Sequence, residues 1–269
     1  MNWRIRYFWT LACGIMTVVL AQRASGAEMS AREIMEKNFF VSKVSALKAD
    51  STMVLINDSG QKRQRKNTTI IKLQPNGVDS MFLVRFSTPA DIKSTGFLQI
   101  EHSEGDDDQW IYLPALKKSR RLVANNKKDS FVGSDFSYGD ISLPKVDLYR
   151  HTLARSEKIA DTVCYVIESI PVNDTVKANS GYSRKISWIR SDNFFEQKVD
   201  YYDLGGRLLK TQEIDRIQKV DPEKGRWFAQ HREMINHQTG HHTVIDAENV
   251  DAKPAIGDDL FTTRYIERE

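Results

Sequence analysis

Cysteine is almost missing from this chain. Of the two present, Cys13 sits in an N-terminal apolar run and Cys164 in Val163-Cys164-Tyr165-Val166-Ile167. Once the leader is removed, no internal disulfide is possible and the fold must rest on its hydrophobic core. No Lys, His or helix start lies near Cys164 in sequence to lower its pKa, so it reads as a buried, inert thiol.

Motifs that carry chemistry are equally scarce. There is no Gly-x-Ser-x-Gly elbow and no His-Glu-x-x-His, and Gly205-Gly206 joins two strand-like segments as a turn rather than a phosphate loop. The histidines include His231, His237 and the pair His241-His242. Adjacent residues on a strand point to opposite faces, so His241 and His242 cannot grip one metal from the same side, and polar contacts on the surface or between strands are the simpler reading. Glu104-Gly105-Asp106-Asp107-Asp108 lacks the spacing of a calcium loop and reads as a solvated acidic turn. The expectation is therefore no enzyme, no metal and no cofactor.

A membrane-spanning run is lacking too. Leu11 to Ala21 is apolar but short of the roughly 20 residues a bilayer needs. Arg4 and Arg6 precede it and Ala24-Ser25-Gly26-Ala27 follows, the pattern of a Sec signal peptide cut between Ala27 and Glu28. Thr10-Leu11-Ala12 before Cys13 is a poor lipoprotein signal and falls too early. Residues 1–27 are thus expected to be a cleaved leader, and residues 28–269 a single exported domain. The leader removes Arg4, Arg6 and Arg23 and no acid, which leaves 36 acidic residues balanced by as many basic ones. A neutral exported protein is a poor candidate for nucleic-acid binding, which draws its affinity from phosphate neutralisation.

What is present is alternation. After a helix from Glu28 to Val41, opened by a capping box of Ser30 and Glu33, the period shifts from 3.6 to 2. Strands are expected at Thr52–Ile56, Thr68–Leu73, Ser80–Ser87, Ser94–His102 and Gln109–Leu113. They resume at Arg150–Ser156, Val163–Ile170, Arg184–Arg190, Phe195–Asp203, Arg207–Val220, Trp227–Asn236 and His242–Asn249. A last short helix should pack Leu260, Phe261, Tyr265 and Ile266. So long an antiparallel meander avoids exposed edges by curling partly or fully into a barrel, with the helix over an opening or face. Ser80–Ser87 is apolar on both faces, so alternation leaves either face free to be the inner one.

The densest region is Gln109 to Asp140. It holds Trp110, Tyr112, Phe131, Phe136 and Tyr138 together with the basic residues Lys117, Lys118, Arg120, Arg121, Lys127 and Lys128. Rings left in water forgo roughly 1.5–3 kcal/mol each, so something packs on them. Phe131 to Tyr138 is either core filling or a mobile flap over an apolar cavity, the latter favoured by Gly133, Ser134 and Ser137. The basic cluster is either the solvated face of a hairpin or a surface for anionic headgroups or an acidic partner.

Thr88-Pro89-Ala90-Asp91-Ile92-Lys93-Ser94-Thr95-Gly96-Phe97-Leu98, then Asp108 to Lys118, then Ser130 to Tyr138, resemble the outer membrane lipoprotein-sorting protein family, a LolA-like periplasmic group. One departure is Ser94, where the family pattern has glycine in Lys-Gly-Thr. The resemblance implies a mainly β, α+β fold: a strongly curved antiparallel sheet forming a half-open barrel with a covering N-terminal helix. It implies a cavity for lipid or lipoprotein acyl chains, and association with exporters of the resistance-nodulation-division (RND) type at the inner membrane. On that basis Phe82, Val84, Phe86, Phe97, Trp110 and Tyr112 are expected to line the cavity, with Phe131, Phe136 and Tyr138 as flap. Lys117, Lys118, Arg120 and Arg121 would meet headgroups or a partner, and a monomer is expected. The competing reading is a periplasmic interaction or sensor module, with a solidly packed barrel that binds an envelope protein.

Overall fold

The computed structural model describes residues 29–268, so the expected leader and its cleavage site lie outside the described residues. The first element follows from local chemistry. Ser30 Oγ accepts from the Glu33 N–H at 3.2 Å, and the Glu33 carboxylate accepts from the Ser30 N–H at 2.8 Å. This reciprocal cap starts helix α1, Ala31–Val41.

The chain then runs through Ala46–Ile56 (β1), Lys62–Leu73 (β2), Ser80–Thr88 (β3), Gly96–Ile100 (β4), Asp108–Leu113 (β5) and Lys118–Leu122 (β6). After an irregular stretch with three short 3-10 turns and a one-turn α-helix, Tyr138–Ile141 (α2), come Tyr149–Ile159 (β7) and Thr162–Pro171 (β8). A short helix, Asp174–Ser180 (α3), leads to Arg184–Arg190 (β9), Glu196–Tyr202 (β10), Leu208–Asp221 (β11), Arg226–Asn236 (β12) and His242–Asp251 (β13), and Thr263–Ile266 (α4) closes the described chain. All the expected strands are present. β6 is an addition: the basic segment read as a hairpin is a strand, paired with β5 through Gln109↔Leu122 to Leu113↔Lys118. Only Leu122 of β6 is buried, so its sequence carries no apolar period.

The strands make one antiparallel sheet of 13, in the order β6-β5-β4-β3-β2-β1-β13-β12-β11-β10-β9-β8-β7. Two meanders are thus joined along β1 and β13, with Met53 opposite Ile245. The sheet is strongly curved but not closed. Its two edges, β6 and β7, are consecutive in the chain, so residues 123–148 must bridge the gap between them. Lys118, Arg120 and Arg121 are exposed on β6, charges that discourage pairing of that edge with another strand.

Both faces of the β2–β5 half are covered, which explains its two-sided hydrophobicity. On the concave face Phe86, Phe97 and Ile111 join the main core cluster; on the convex face Ile70, Leu83, Leu98 and Tyr112 pack under the tail residues Phe261 and Ile266. A Cβ added to Gly96 would sit 3.0 Å from Cβ of Ile266, so glycine here permits the tail's close approach. On the other half, α1 lies on the concave face, where Ala31 and Ile34 bury against Ile167 and Ile189.

Ser94 adopts φ 67°, the left-handed conformation that glycine takes without cost. A side chain there costs on the order of 1–2 kcal/mol, partly offset by the larger unfolded-state entropy of glycine. Ser94→Gly is therefore expected to raise stability by up to about 1 kcal/mol, read as a higher urea midpoint with an unchanged slope.

Candidate functional site

The bridging segment does not lie over the sheet; it enters it. Phe131 folds back so that its N–H donates to the Phe136 carbonyl at 2.7 Å, making a tight loop that carries both rings inward. Phe131, Phe136 and Tyr138 are 2%, 1% and 7% exposed, as buried as any core residue. Phe131 meets Phe97 edge-on at a centroid distance of 5.5 Å and Phe86 at 6.1 Å, while Tyr138 packs on both Phe97 and Phe131 at 5.5 Å. The rings form a plug within the concavity.

Polar contacts pin this plug from several strands. The Arg65 guanidinium donates to the Val132 carbonyl from β2. Thr243 on β13 accepts from the Asp135 N–H at 3.0 Å and donates to the Asp135 carboxylate at 2.7 Å. Lys210 on β11 donates to the Asp135 carbonyl at 2.8 Å and to the Asp140 carboxylate at 2.6 Å, and Tyr182 adds a hydroxyl to Asp140 at 2.9 Å. Burial would raise the pKa of Asp140, but the Lys210 charge and the hydrogen bonds from Lys210 and Ser137 hold it below the usual carboxylate range. Burial pushes the Tyr182 hydroxyl well above the ordinary phenol value, so it stays a donor.

Between plug and sheet lies a cavity of about 180 Å³. Of the residues expected to line it, Phe82, Val84, Phe131 and Phe136 do; Phe86, Phe97 and Tyr138 stand behind them in the same aromatic cluster. Trp110 and Tyr112 require correction. The register Phe97↔Ile111 puts Ile111 on the concave face, so its neighbours Trp110 and Tyr112 point outward, where they pack with the C-terminal tail. Lys117, Lys118, Arg120 and Arg121 are exposed, and Arg121 is paired with Asp108. Near them Leu116 and Val123 are 66% and 61% exposed.

The far wall was not foreseen. Phe195, Phe228 and Ile245 complete the apolar lining, and Arg232 brings a guanidinium to it. The signal was legible in part: Arg232 shares its strand parity with Phe228 and Met234, and Met234 is a fully buried member of the concave core. A smaller space of about 70 Å³ lies under α1, walled by Tyr149, Lys185, Glu196, Gln212 and again Arg232. Apolar surface predominates in the larger cavity, although Ser51, Asn67, Ser80, Gln99 and Glu101 also line it, and the space under α1 is the more polar of the two.

Elsewhere, side chains that suggested other chemistries are engaged. Asp107 faces Lys145 at 3.3 Å, and Asp108 faces His102 at 3.0 Å as well as Arg121. His231 bonds Asp246 at 2.7 Å and His237 bonds Thr211 at 2.8 Å. Cys164 is wholly buried, and burial pushes its thiol pKa up.

A protein-family model described only as "Uncharacterized protein" matches residues 78–268. Among solved structures, a domain described as an outer membrane lipoprotein-sorting protein, from Vibrio parahaemolyticus, is 30% identical, with a TM-score of 0.80 over 88% of this chain and 98% of that one. A DUF1329 family protein from Desulfovibrio piger is 29% identical, with a TM-score of 0.79 over 88% and 97%. A LolA superfamily protein from Nitrosomonas europaea shares the fold at 20% identity, with a TM-score of 0.67 over 88% and 100%. No curated protein matches this chain.

Proposed function

Because the chain belongs to the outer membrane lipoprotein-sorting protein family, we propose that it is an exported, periplasmic carrier that shelters an acyl chain in the concavity of its half-open barrel. The observation that carries this reading is the cavity's construction: one wall, Phe131 and Phe136, belongs to a segment that is not part of the sheet and spans its open edges. Such a wall can leave without unzipping a strand ladder. No step of bond making is involved, and the reading needs no cofactor.

Magnitudes favour an exchange of plug for chain. A dry apolar cavity of about 150 Å³ takes a ligand of benzene's size, so the resting cavity holds only a few carbons. Room for a whole chain requires the plug to withdraw, exposing three rings at roughly 1.5–3 kcal/mol each, or about 5–9 kcal/mol. A sixteen-carbon chain returns about 0.8 kcal/mol per methylene, roughly 11 kcal/mol on full burial. The two quantities are close enough for loading and release to be reversible.

The basic edge strand, with Leu116 and Val123 bare beside it, suits an anionic membrane surface or a docking partner, for which an inner-membrane RND-type exporter is our proposal. The competing module that binds through its surface draws on the plug's burial. Native mass spectrometry of gently purified protein separates the two. Co-purifying lipid, or uptake from labelled vesicles, is the expected result; protein that carries none and takes up none would sink the carrier reading.

A further inference from the structure

The polar half of the interior has an imbalance of donors over acceptors. Most ionisable groups bordering it are satisfied by their neighbours. Asp140 is bound to Lys210 and Tyr182, and Lys145 is bound to Asp107 and to the Gly105 carbonyl at 2.8 Å. His151 spends one ring nitrogen on Ser169 at 2.8 Å and the other on the Val146 carbonyl at 3.0 Å, and burial lowers its pKa, which favours the neutral ring.

Three donors are left. The Arg232 guanidinium makes no hydrogen bond or ion pair among the described residues, although it walls both the apolar cavity and the chamber under α1. Glu196, on the wall of the same chamber, is its charged neighbour, but the two do not come within ion-pair distance. Lys185 has the Tyr149 ring at 4.3 Å and, among the described residues, no carboxylate within ion-pair distance, Glu196 facing it from farther across the chamber. Gln212, 2% exposed, accepts from the Tyr201 hydroxyl at 2.9 Å through Oε1, while its Nε2 has no partner at all. An orphaned buried donor such as Nε2 of Gln212 costs roughly 1–3 kcal/mol, and beside it the half-buried Arg232 and Lys185 side chains have no hydrogen-bonded anion. Three such donors around one space are the inverse of an anionic, oxygen-rich group.

The geometry points to a headgroup seat: Arg232, Lys185 and Nε2 of Gln212 hold a carboxylate or phosphate monoester while the chain attached to it lies in the adjoining apolar cavity. The cargo is then an anionic single-chain amphiphile. This rests on the carrier reading and narrows it, because a chain with an uncharged head would leave all three donors unanswered. Arg232 is the pivot, since it alone of the three borders both spaces, and its planar fork suits a bidentate anion.

The test is calorimetric titration of the full chain, below micelle concentrations, with palmitate, 1-palmitoyl lysophosphatidic acid, uncharged monopalmitoylglycerol and inorganic phosphate. Palmitate and lysophosphatidic acid are expected to bind at least tenfold more tightly than monopalmitoylglycerol, and phosphate alone not at millimolar concentration. Arg232→Gln should erase that preference, the charged and uncharged amphiphiles then binding within about twofold of each other. If it does not fold, as judged by thermal unfolding, Lys185→Gln should reduce the same preference severalfold. Equal affinity for charged and uncharged heads, or a preference that survives both substitutions, overturns the headgroup seat but leaves the carrier standing. Phosphate binding as tightly as lysophosphatidic acid assigns the seat to free anions and overturns it as a headgroup site. Failure of every amphiphile to bind overturns the carrier reading itself.

Discussion

Phe136→Ala is expected to lower the stability of the protein by about 3–5 kcal/mol and, at the same time, to raise its affinity for an acyl chain. The first effect follows from removing a side chain that is 1% exposed and packed inside the concave core. The second follows from its place in the cavity wall: deleting the ring enlarges the space and lowers the cost of withdrawing the plug. Ordinary core residues do not combine the two. Leu98→Ala serves as the control, because Leu98 is equally buried but lies on the convex face under the tail, and it should lose stability without a gain in binding. Urea unfolding and titration with a fluorescent fatty acid give both readouts. If the two variants behave alike in binding, the plug is structural and the proposed exchange is wrong.

Lys210→Met should be the most destabilising charge substitution on the concave face. Lys210 and Asp140 have side chains 6% and 2% exposed and a contact of 2.6 Å, so removing the ammonium strands a carboxylate in low dielectric. Breaking such a pair from one side costs about 3–5 kcal/mol. The pH dependence separates this cause from lost packing. In the native protein the folded pKa of Asp140 is depressed, so its contribution is present above the unfolded value of about 3.9 and is lost as pH falls through the lower folded value. In Lys210→Met burial acts without the compensating charge and raises the pKa. The variant's deficit should then be largest near neutrality and shrink toward pH 4, whereas a packing defect would be flat with pH. Because Lys210 also holds the Asp135 carbonyl, the variant should release the plug more readily in hydrogen exchange.

Much of the fold was legible because its causes are local. The Ser30 and Glu33 cap, the alternation in β3 and in β7 to β13, and the apolar tail residues Leu260, Phe261, Tyr265 and Ile266 each depend on neighbours a few positions away. Ser94 was legible as an anomaly, and its left-handed backbone supplies the reason glycine is favoured there. The segment β6 was not, since an edge strand held by backbone pairing needs little apolar sequence. Short α3 was also missed: it is a single capped helix of seven residues with none buried, so it carries no apolar stripe.

For the site, the chain's own pattern determined that Phe82, Val84 and Phe86 share one strand face and that Phe131 to Tyr138 must be covered by something. Period-2 geometry and the cost of wet aromatic surface are enough for that. Which face is inner was decided only in three dimensions. The tail folds back over β4 and β5 and claims Trp110 and Tyr112 for the outside, and nothing within β5 encodes where the tail lies. The pairing of Asp140 with Lys210, and the meeting of Arg232, Lys185 and Gln212 around one space, were likewise invisible. Each joins residues on separate elements, brought together by the curvature of a sheet whose edges do not close, and curvature is a property of the assembled strands rather than of any one of them.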